Sequence, residues 1–473
     1  MSEQTNIDEL TAKPFGQRML GYWRVTGPGY MQSAMTLGGG TVASCAVLGS
    51  MFGYKYLWVQ LVAMIFGYAV LSCVAKQTCH SEKRSYGVFW RELHPSLAIL
   101  WAVSALVATI LWHIPQYSLT ANGIVALAQG FSRDFDPQLP RKIIGAVVLA
   151  GACGLVYLYG IGARGLKVYE FFVKSLVWGI VIAFGIVVVT GGGIDWGRLF
   201  TGITGIDFLR DIFGGKGMEE QAIKPVIAAL AATVGINMIF LYPYTILNKK
   251  WGKKYKELAY FDLISGMAVP FIIATTFMIV AVAKTIGPDA GAIGTGVRDI
   301  REIVPVLSET MGETFALFLI GLSMTAIGFS TIITHMLACG FIACEMFGFS
   351  HEGKAKWWFS LLPAIGVVGV VMKFPLPLAI TASTLALPLM PVTVICFIVL
   401  FNRKSYMGEE MPRGGLRIIW NAVLVTSVVV MSWAAVYAVQ KNWGDMKKLI
   451  SPPAQAAQVE RGSIETDSIW KAI

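Results

Sequence analysis

Charge is scarce in this 473-residue chain: Asp, Glu, Lys and Arg together make up 14% of it, against 55% hydrophobic residues. With a mean hydropathy of +0.64, that balance excludes the string of soluble domains that length alone would suggest. Histidine is rarer still, five in all. The seven cysteines (Cys45, Cys73, Cys79, Cys153, Cys339, Cys344 and Cys396) lie mostly in apolar segments. Cys339 and Cys344 are five apart, which matches no zinc pattern, and most of the seven read as small buried hydrophobes. There is no zinc-binding pair on one helix face, no nucleophile elbow and no phosphate-binding loop. No enzyme activity and no cofactor is expected. Residues 1–13 lack the basic-then-apolar pattern of a cleavable signal, so the first span is expected to direct insertion itself.

What the chain has in quantity is long apolar runs. Eleven are long enough to cross a bilayer: residues 27–49, 56–74, 99–119, 143–159, 171–189, 226–247, 263–283, 315–343, 357–372, 376–401 and 418–439. The chain therefore reads as an all-α polytopic membrane protein whose first partner is the lipid bilayer. Residues 1–26 form a polar N-terminal tail, 190–225 and 402–417 read as loops, and 441–473 form a polar C-terminal tail. Lysine and arginine collect in alternate connections, most densely at Lys249, Lys250, Lys253, Lys254 and Lys256. By the positive-inside rule those connections and the N-terminus face the cytoplasm, with a bacterial inner membrane as the expected location. This distribution accounts for the net charge of +10 without a nucleic-acid partner.

The first span is interrupted at mid-length by Gly38-Gly39-Gly40. Glycine lowers helix stability by about 1 kcal/mol per residue relative to alanine, so the triplet is expected to unwind the chain until Thr41. Small residues also serve close helix packing. The mid-span position favours a site, because unwound backbone at membrane depth is tolerated where it lines a cavity. The sixth span carries Thr233-Val234-Gly235-Ile236-Asn237 near its middle. Two sets of five helices (27–189 and 226–401), each opening on a broken helix, follow the logic of inverted-repeat transporters, with the eleventh helix peripheral.

Several stretches resemble the NRAMP divalent-metal transporter family. They are Gly27-Pro28-Gly29-Tyr30, Phe52-Gly53-Tyr54 with Leu57-Trp58-Val59, Gly165-Leu166-Lys167-Val168-Tyr169-Glu170, Ala232-Thr233-Val234, Phe261-Asp262-Leu263, the run 328–338, and Leu385-Ala386-Leu387-Pro388. The resemblance implies a LeuT-type fold and a secondary transporter. It does not bring the family's ligands with it. The Asp-Pro-Gly-Asn expected in the first break falls on Gly38, Gly39, Gly40 and Thr41, and the Met-Pro-His of the sixth span falls on Gly235, Ile236 and Asn237. The carboxylates expected on the third span fall on Ile110 and His113, and a glutamine of the tenth falls near Ile380.

Without the carboxylate, no fixed charge offsets the dehydration of a divalent cation. A helix resuming after the glycines presents free N–H groups and a positive dipole end, which suit a small anion. The expected substrate is a small anion such as bicarbonate, or another small solute, rather than manganese or iron. The expected lining is Gly38, Gly39, Gly40, Thr41, Ala232 through its carbonyl, Gly235 and Asn237, with no resident metal. Two alternatives stay open: a carrier for a hydrated cation such as magnesium, and a sensor or scaffold that does not transport. His113 lies near mid-bilayer and is a proton-relay candidate, with Pro115 and Gln116 after it. His335 is expected to be structural, and Glu170 with Lys174 to form an i,i+4 surface pair.

Overall fold

The first apolar run does not stay helical through its middle. The computed structural model describes residues 9–10, 13–132, 140–288, 299–371 and 375–450. In it, α1 (Phe15–Val25) leads into α2 (Pro28–Thr36) and α3 (Gly39–Phe52). The last two meet at 49° across Leu37 and Gly38. The unwound stretch is shorter than the glycine triplet predicts. Gly39 and Gly40 already belong to the first turn of α3, so the helix resumes before Thr41. The reason is a cap supplied from another helix. Gly38 is extended (φ −77°, ψ −177°) and has no side chain to offer, but Gln116 Oε1 accepts the Gly39 N–H at 2.9 Å.

Four further helices complete a first set of five spans: α4 (Leu57–Ser81), α5 (Pro95–Phe131), α6 (Arg141–Tyr159) and α7 (Gly162–Thr190). Two short helices that the sequence reading leaves as loop follow, α8 (Trp196–Thr204) and α9 (Ile206–Phe213). The sixth span is broken where expected, into α10 (Glu220–Thr233) and α11 (Ile236–Asn248), with Val234 and Gly235 extended between them. Then come α12 (Lys256–Leu263), a π-turn at Ile264–Ala268, α13 (Val269–Ile286), α14 (Val304–Met311) and α15 (Glu313–Phe347). The chain continues through α16 (Lys354–Phe359), a 3-10 stretch (Leu362–Val371), α17 (Pro375–Ala386), α18 (Pro391–Phe401) and α19 (Gly414–Ile450). Of the two predicted tails, residues 1–8, 11–12 and 451–473 lie outside the described residues.

Among the described residues nine helices are long and apolar enough to cross a bilayer, and eleven spans result if each bent pair counts once. The second bent pair is not legible as a break in the sequence reading. Residues 376–401 read as one span, yet α17 and α18 meet at 49°. Pro388 and Pro391 explain it, since each lacks an N–H and its ring displaces the carbonyl four residues earlier.

Two long helices carry the broken ones. α5 and α15 run along each other in direct backbone contact. A Cβ on Gly123 would come within 2.7 Å of the Gly321 carbonyl, and one on Gly328 within 2.1 Å of Thr120 Oγ1. Glycine at these positions allows the close packing that helix pairs in lipid depend on. The 3-10 stretch lies on α5 for the same reason: a Cβ on Gly369 would meet the Ile114 carbonyl at 2.0 Å. The lysines after α11 mark one end of the bundle, called here the basic face.

Glu170 corrects an expectation. It is not at the surface; its residue is buried, and its carboxylate lies 2.8 Å from Lys249 Nζ at the end of α11. The i,i+4 spacing to Lys174 is real, but the pairing across helices could not be read from spacing within one.

Candidate functional site

The broken ends of α2, α3, α10 and α11 converge on one small cavity of about 30 Å³. By volume it holds about two waters or a solute of a few heavy atoms. Of the predicted residues, Gly38, Gly40, Ala232, Gly235 and Asn237 line it. Gly39 and Thr41 do not. Gly39 turns its N–H to Gln116, and Thr41 Oγ1 donates back to the Thr36 carbonyl at 2.5 Å. The scaffold supplies the rest of the wall: Trp112 and Gln116 from α5, Thr331 and His335 from α15, and Ser383 from α17. Met35, Ala231 and Met238 complete it. The scaffold residues carry a signal that the sequence reading did not use. Trp112 and Gln116, and likewise Thr331 and His335, are four apart and so share one helix face.

His335, expected to be structural, stands beside the predicted lining residues. It belongs to the cavity wall, and His113 lies behind it rather than in it, with ring centroids 5.7 Å apart. Neither ring nitrogen of His113 and not Nδ1 of His335 has a hydrogen-bond partner among the described residues.

The polarity of the cavity follows from which backbone groups are already used. On the carbonyl side, Thr331 Oγ1 donates to Ala34 at 2.8 Å, Thr41 Oγ1 to Thr36, and Thr36 Oγ1 to Thr233 at 3.3 Å. The Met238 sulfur is engaged too, accepting the Gly235 N–H at 3.2 Å. On the N–H side, Gly40 and Thr41 in α3 and Ile236 in α11 have no acceptor among the described residues. The Asn237 Nδ2 is likewise unpartnered, in a residue 1% exposed. Two helix N-termini thus meet at this space with donors to spare, and their dipoles favour negative charge, while the C-terminus of α10 brings the Ala231 and Ala232 carbonyls with no donor among the described residues. No Asp or Glu lines the cavity, and the described residues contain no group of three His, Cys, Asp or Glu placed to hold a metal.

At the end of the bundle away from the basic face, an ion cluster joins the α3–α4 connection to α9 and the head of α10. Lys55, between α3 and α4, contacts Asp211 of α9 and Glu219 at the head of α10, and the Tyr56 hydroxyl also donates to Glu219. Lys216 approaches Asp211 at 3.4 Å. Burial opposes the Lys55 charge, but the two carboxylates outweigh it and hold its pKa above the usual lysine value. Lys55 draws Asp211 below the carboxylate range; burial pushes Glu219 up, and Lys55 and Tyr56 more than reverse that. The signs give a window. The carboxylate contributions are complete above the ordinary values near pH 4 and are lost as pH falls through the depressed ones. The Lys55 contribution is complete below about pH 10 and is lost as pH rises further. Hydrogen exchange of residues 196–213 is therefore expected to stay slow from about pH 5 to 9, after correction for intrinsic rates, and to rise in acid below about pH 4. In Lys55→Gln the segment should exchange fast at neutral pH and show no acid step.

Comparison with known proteins gives consistent results. The family model described as "Natural resistance-associated macrophage protein-like" matches residues 29–439. A metal transporter Nramp6.2 of Populus trichocarpa is 25% identical over 366 residues, covering 73% of this chain and 60% of the relative. This chain thus spans less than two thirds of that protein. A divalent metal cation transporter MntH of Acidiphilium cryptum is 21% identical, over 92% of this chain and 96% of its own. Among solved structures, the Eremococcus coleocola manganese transporter bound to an aromatic bis-isothiourea compound superposes with a TM-score of 0.69. It is 13% identical and covers 95% of this chain and 92% of that one. The nucleobase-cation symporter Mhp1 in a closed conformation superposes at 0.51, with 11% identity over 88% and 92%. The fold is the LeuT-type inverted repeat.

Proposed function

The chain belongs to the natural resistance-associated macrophage protein-like family, and on that premise we propose that it is a secondary transporter whose central site takes a small anion, bicarbonate or one of similar size. It is an integral membrane protein. The observation that carries the proposal is the pair of unused donors that line the cavity, the Gly40 N–H and the Asn237 Nδ2, where no carboxylate does. The basic connections support a cytoplasmic N-terminus and basic face, and a bacterial inner membrane is the location that goes with this reading. Residues 27–189 and 226–401 are the two repeats whose relative motion exposes the site to each side.

The relatives' names favour a divalent cation, and the family supports that second reading. The residues at this site weigh against it. A divalent ion stripped of water in a low-dielectric site needs compensating negative charge, and of the acceptors around the cavity the Ala34 and Thr36 carbonyls and the Met238 sulfur already accept hydrogen bonds, which leaves the Ala231 and Ala232 carbonyls. Ligand-dependent melting of the purified protein separates the two readings. Bicarbonate is expected to raise the melting temperature with concentration, by about 2.7 kcal/mol of added stability at a hundred times its Kd. Stabilisation by manganese or magnesium, with none by bicarbonate, would overturn the proposal.

A further inference from the structure

We propose that Asp262 is the pin that holds the half-helix α2 closed over the basic-face side of the cavity, so that breaking its hold is the step that opens the site to that side. The proposal rests on the carrier reading but not on which solute is carried. α2 is a nine-residue rod, about 13 Å long, with Met35 of its last turn in the cavity wall and Gly27 at its outer end. Its first turn needs partners. Pro28 has no N–H, and Gly27 has no side chain to cap with. The Asp262 carboxylate fills that role from 233 or more residues away, accepting the Gly27 N–H at 2.8 Å and the Gly29 N–H at 2.5 Å.

The seat around this contact is built to match. Asp262 is 0% exposed and is followed by the π-turn. A Cβ on Gly266 in that turn would come within 2.9 Å of the Tyr30 nitrogen. The Glu170 carboxylate lies against Gly27 on the other side, where a Cβ would meet it at 2.3 Å. At its inner end α2 is tied to the scaffold by the neutral hydrogen bond from Thr331 to Ala34. Charge-assisted bonds are roughly twice as strong as neutral ones, so the Asp262 end is a firm tie when its carboxyl is ionised. If α2 moves away, the Asp262 carboxylate loses both donors. A buried charge in that state is costly unless water replaces them. Detaching α2 and letting water in from the basic face are therefore one event.

Asp262→Asn tests this. The amide keeps the volume and one acceptor but turns its NH2 towards an N–H. In the purified full-length protein, without any substrate, hydrogen exchange of residues 28–36 is expected to rise by about tenfold or more. Exchange in α5 and α15 should not change. Unchanged exchange in residues 28–36 would overturn the proposal, whatever the transported solute. If α5 and α15 also exchange fast, the variant has unfolded and a second experiment decides. Asp262→Ser is smaller and keeps one acceptor: exchange of residues 28–36 should rise while α5 and α15 stay unchanged, and unchanged exchange in residues 28–36 would refute the pin.

Discussion

Gly38→Asp is expected to lower anion uptake by at least about tenfold, because it places a carboxylate where the account puts the substrate's charge. Gly38 is the N-cap of α3 and already has the extended backbone that capping residues adopt. An aspartate there would accept the first-turn N–H groups that Gly40 and Thr41 leave unused, as N-cap side chains do. It would thus compete for the same donors as well as repel the anion. There is just enough space: a Cβ meets the Met35 carbonyl at 3.0 Å and Thr331 Oγ1 at 3.1 Å, so its neighbours give by a few tenths of an ångström. Because Asp is slightly better than Gly at an N-cap, the melting temperature should stay level or rise. Loss of uptake without loss of stability is the signature. If the site instead takes a divalent cation, the same change should improve uptake.

The largest effect on stability is expected from Lys249→Met. The Glu170–Lys249 pair joins α7 to the end of α11, with side chains 8% and 6% exposed. Removing Lys249 takes from the buried Glu170 carboxylate its partner at 2.8 Å, a loss of up to about 3–5 kcal/mol, whereas replacing both by apolar groups is often close to neutral. Lys249→Met should therefore lower the unfolding midpoint sharply, and Lys249→Met with Glu170→Leu should recover most of the loss. If the double variant is as unstable as the single, the pair holds the two helices in a way that apolar packing cannot replace.

The parts of the fold that depend on solvent preference were legible in the residues. Eleven apolar runs predict eleven spans, and the glycines at 38–40 and 235 mark two of the breaks, because backbone that cannot hold a helix shows itself locally. The bend after Ala386 was missed because Pro388 and Pro391 stand in a run hydrophobic enough to read as continuous. The lining of the candidate site was half legible. Gly38, Gly40, Ala232, Gly235 and Asn237 were found because they are at the breaks, while Gln116, Thr331, His335 and Ser383 come from helices that only the packing brings alongside. Gln116 shows why. Its capping of Gly39 joins residues 77 apart, and no local pattern announces that contact. The same holds for Glu170, whose partner lies 79 residues away.

The central claim is that the site of this family member favours an anion. It is tested most directly by reconstituting the protein in liposomes and following bicarbonate, manganese and magnesium entry in parallel, at alkaline pH where dissolved carbon dioxide is a small fraction. The account predicts protein-dependent bicarbonate entry, lost in Gly38→Asp, with manganese and magnesium entry no faster than in empty liposomes. Manganese entry through the unaltered protein, with bicarbonate at background, would contradict it and show that amide, hydroxyl and backbone oxygens suffice to carry a transition metal.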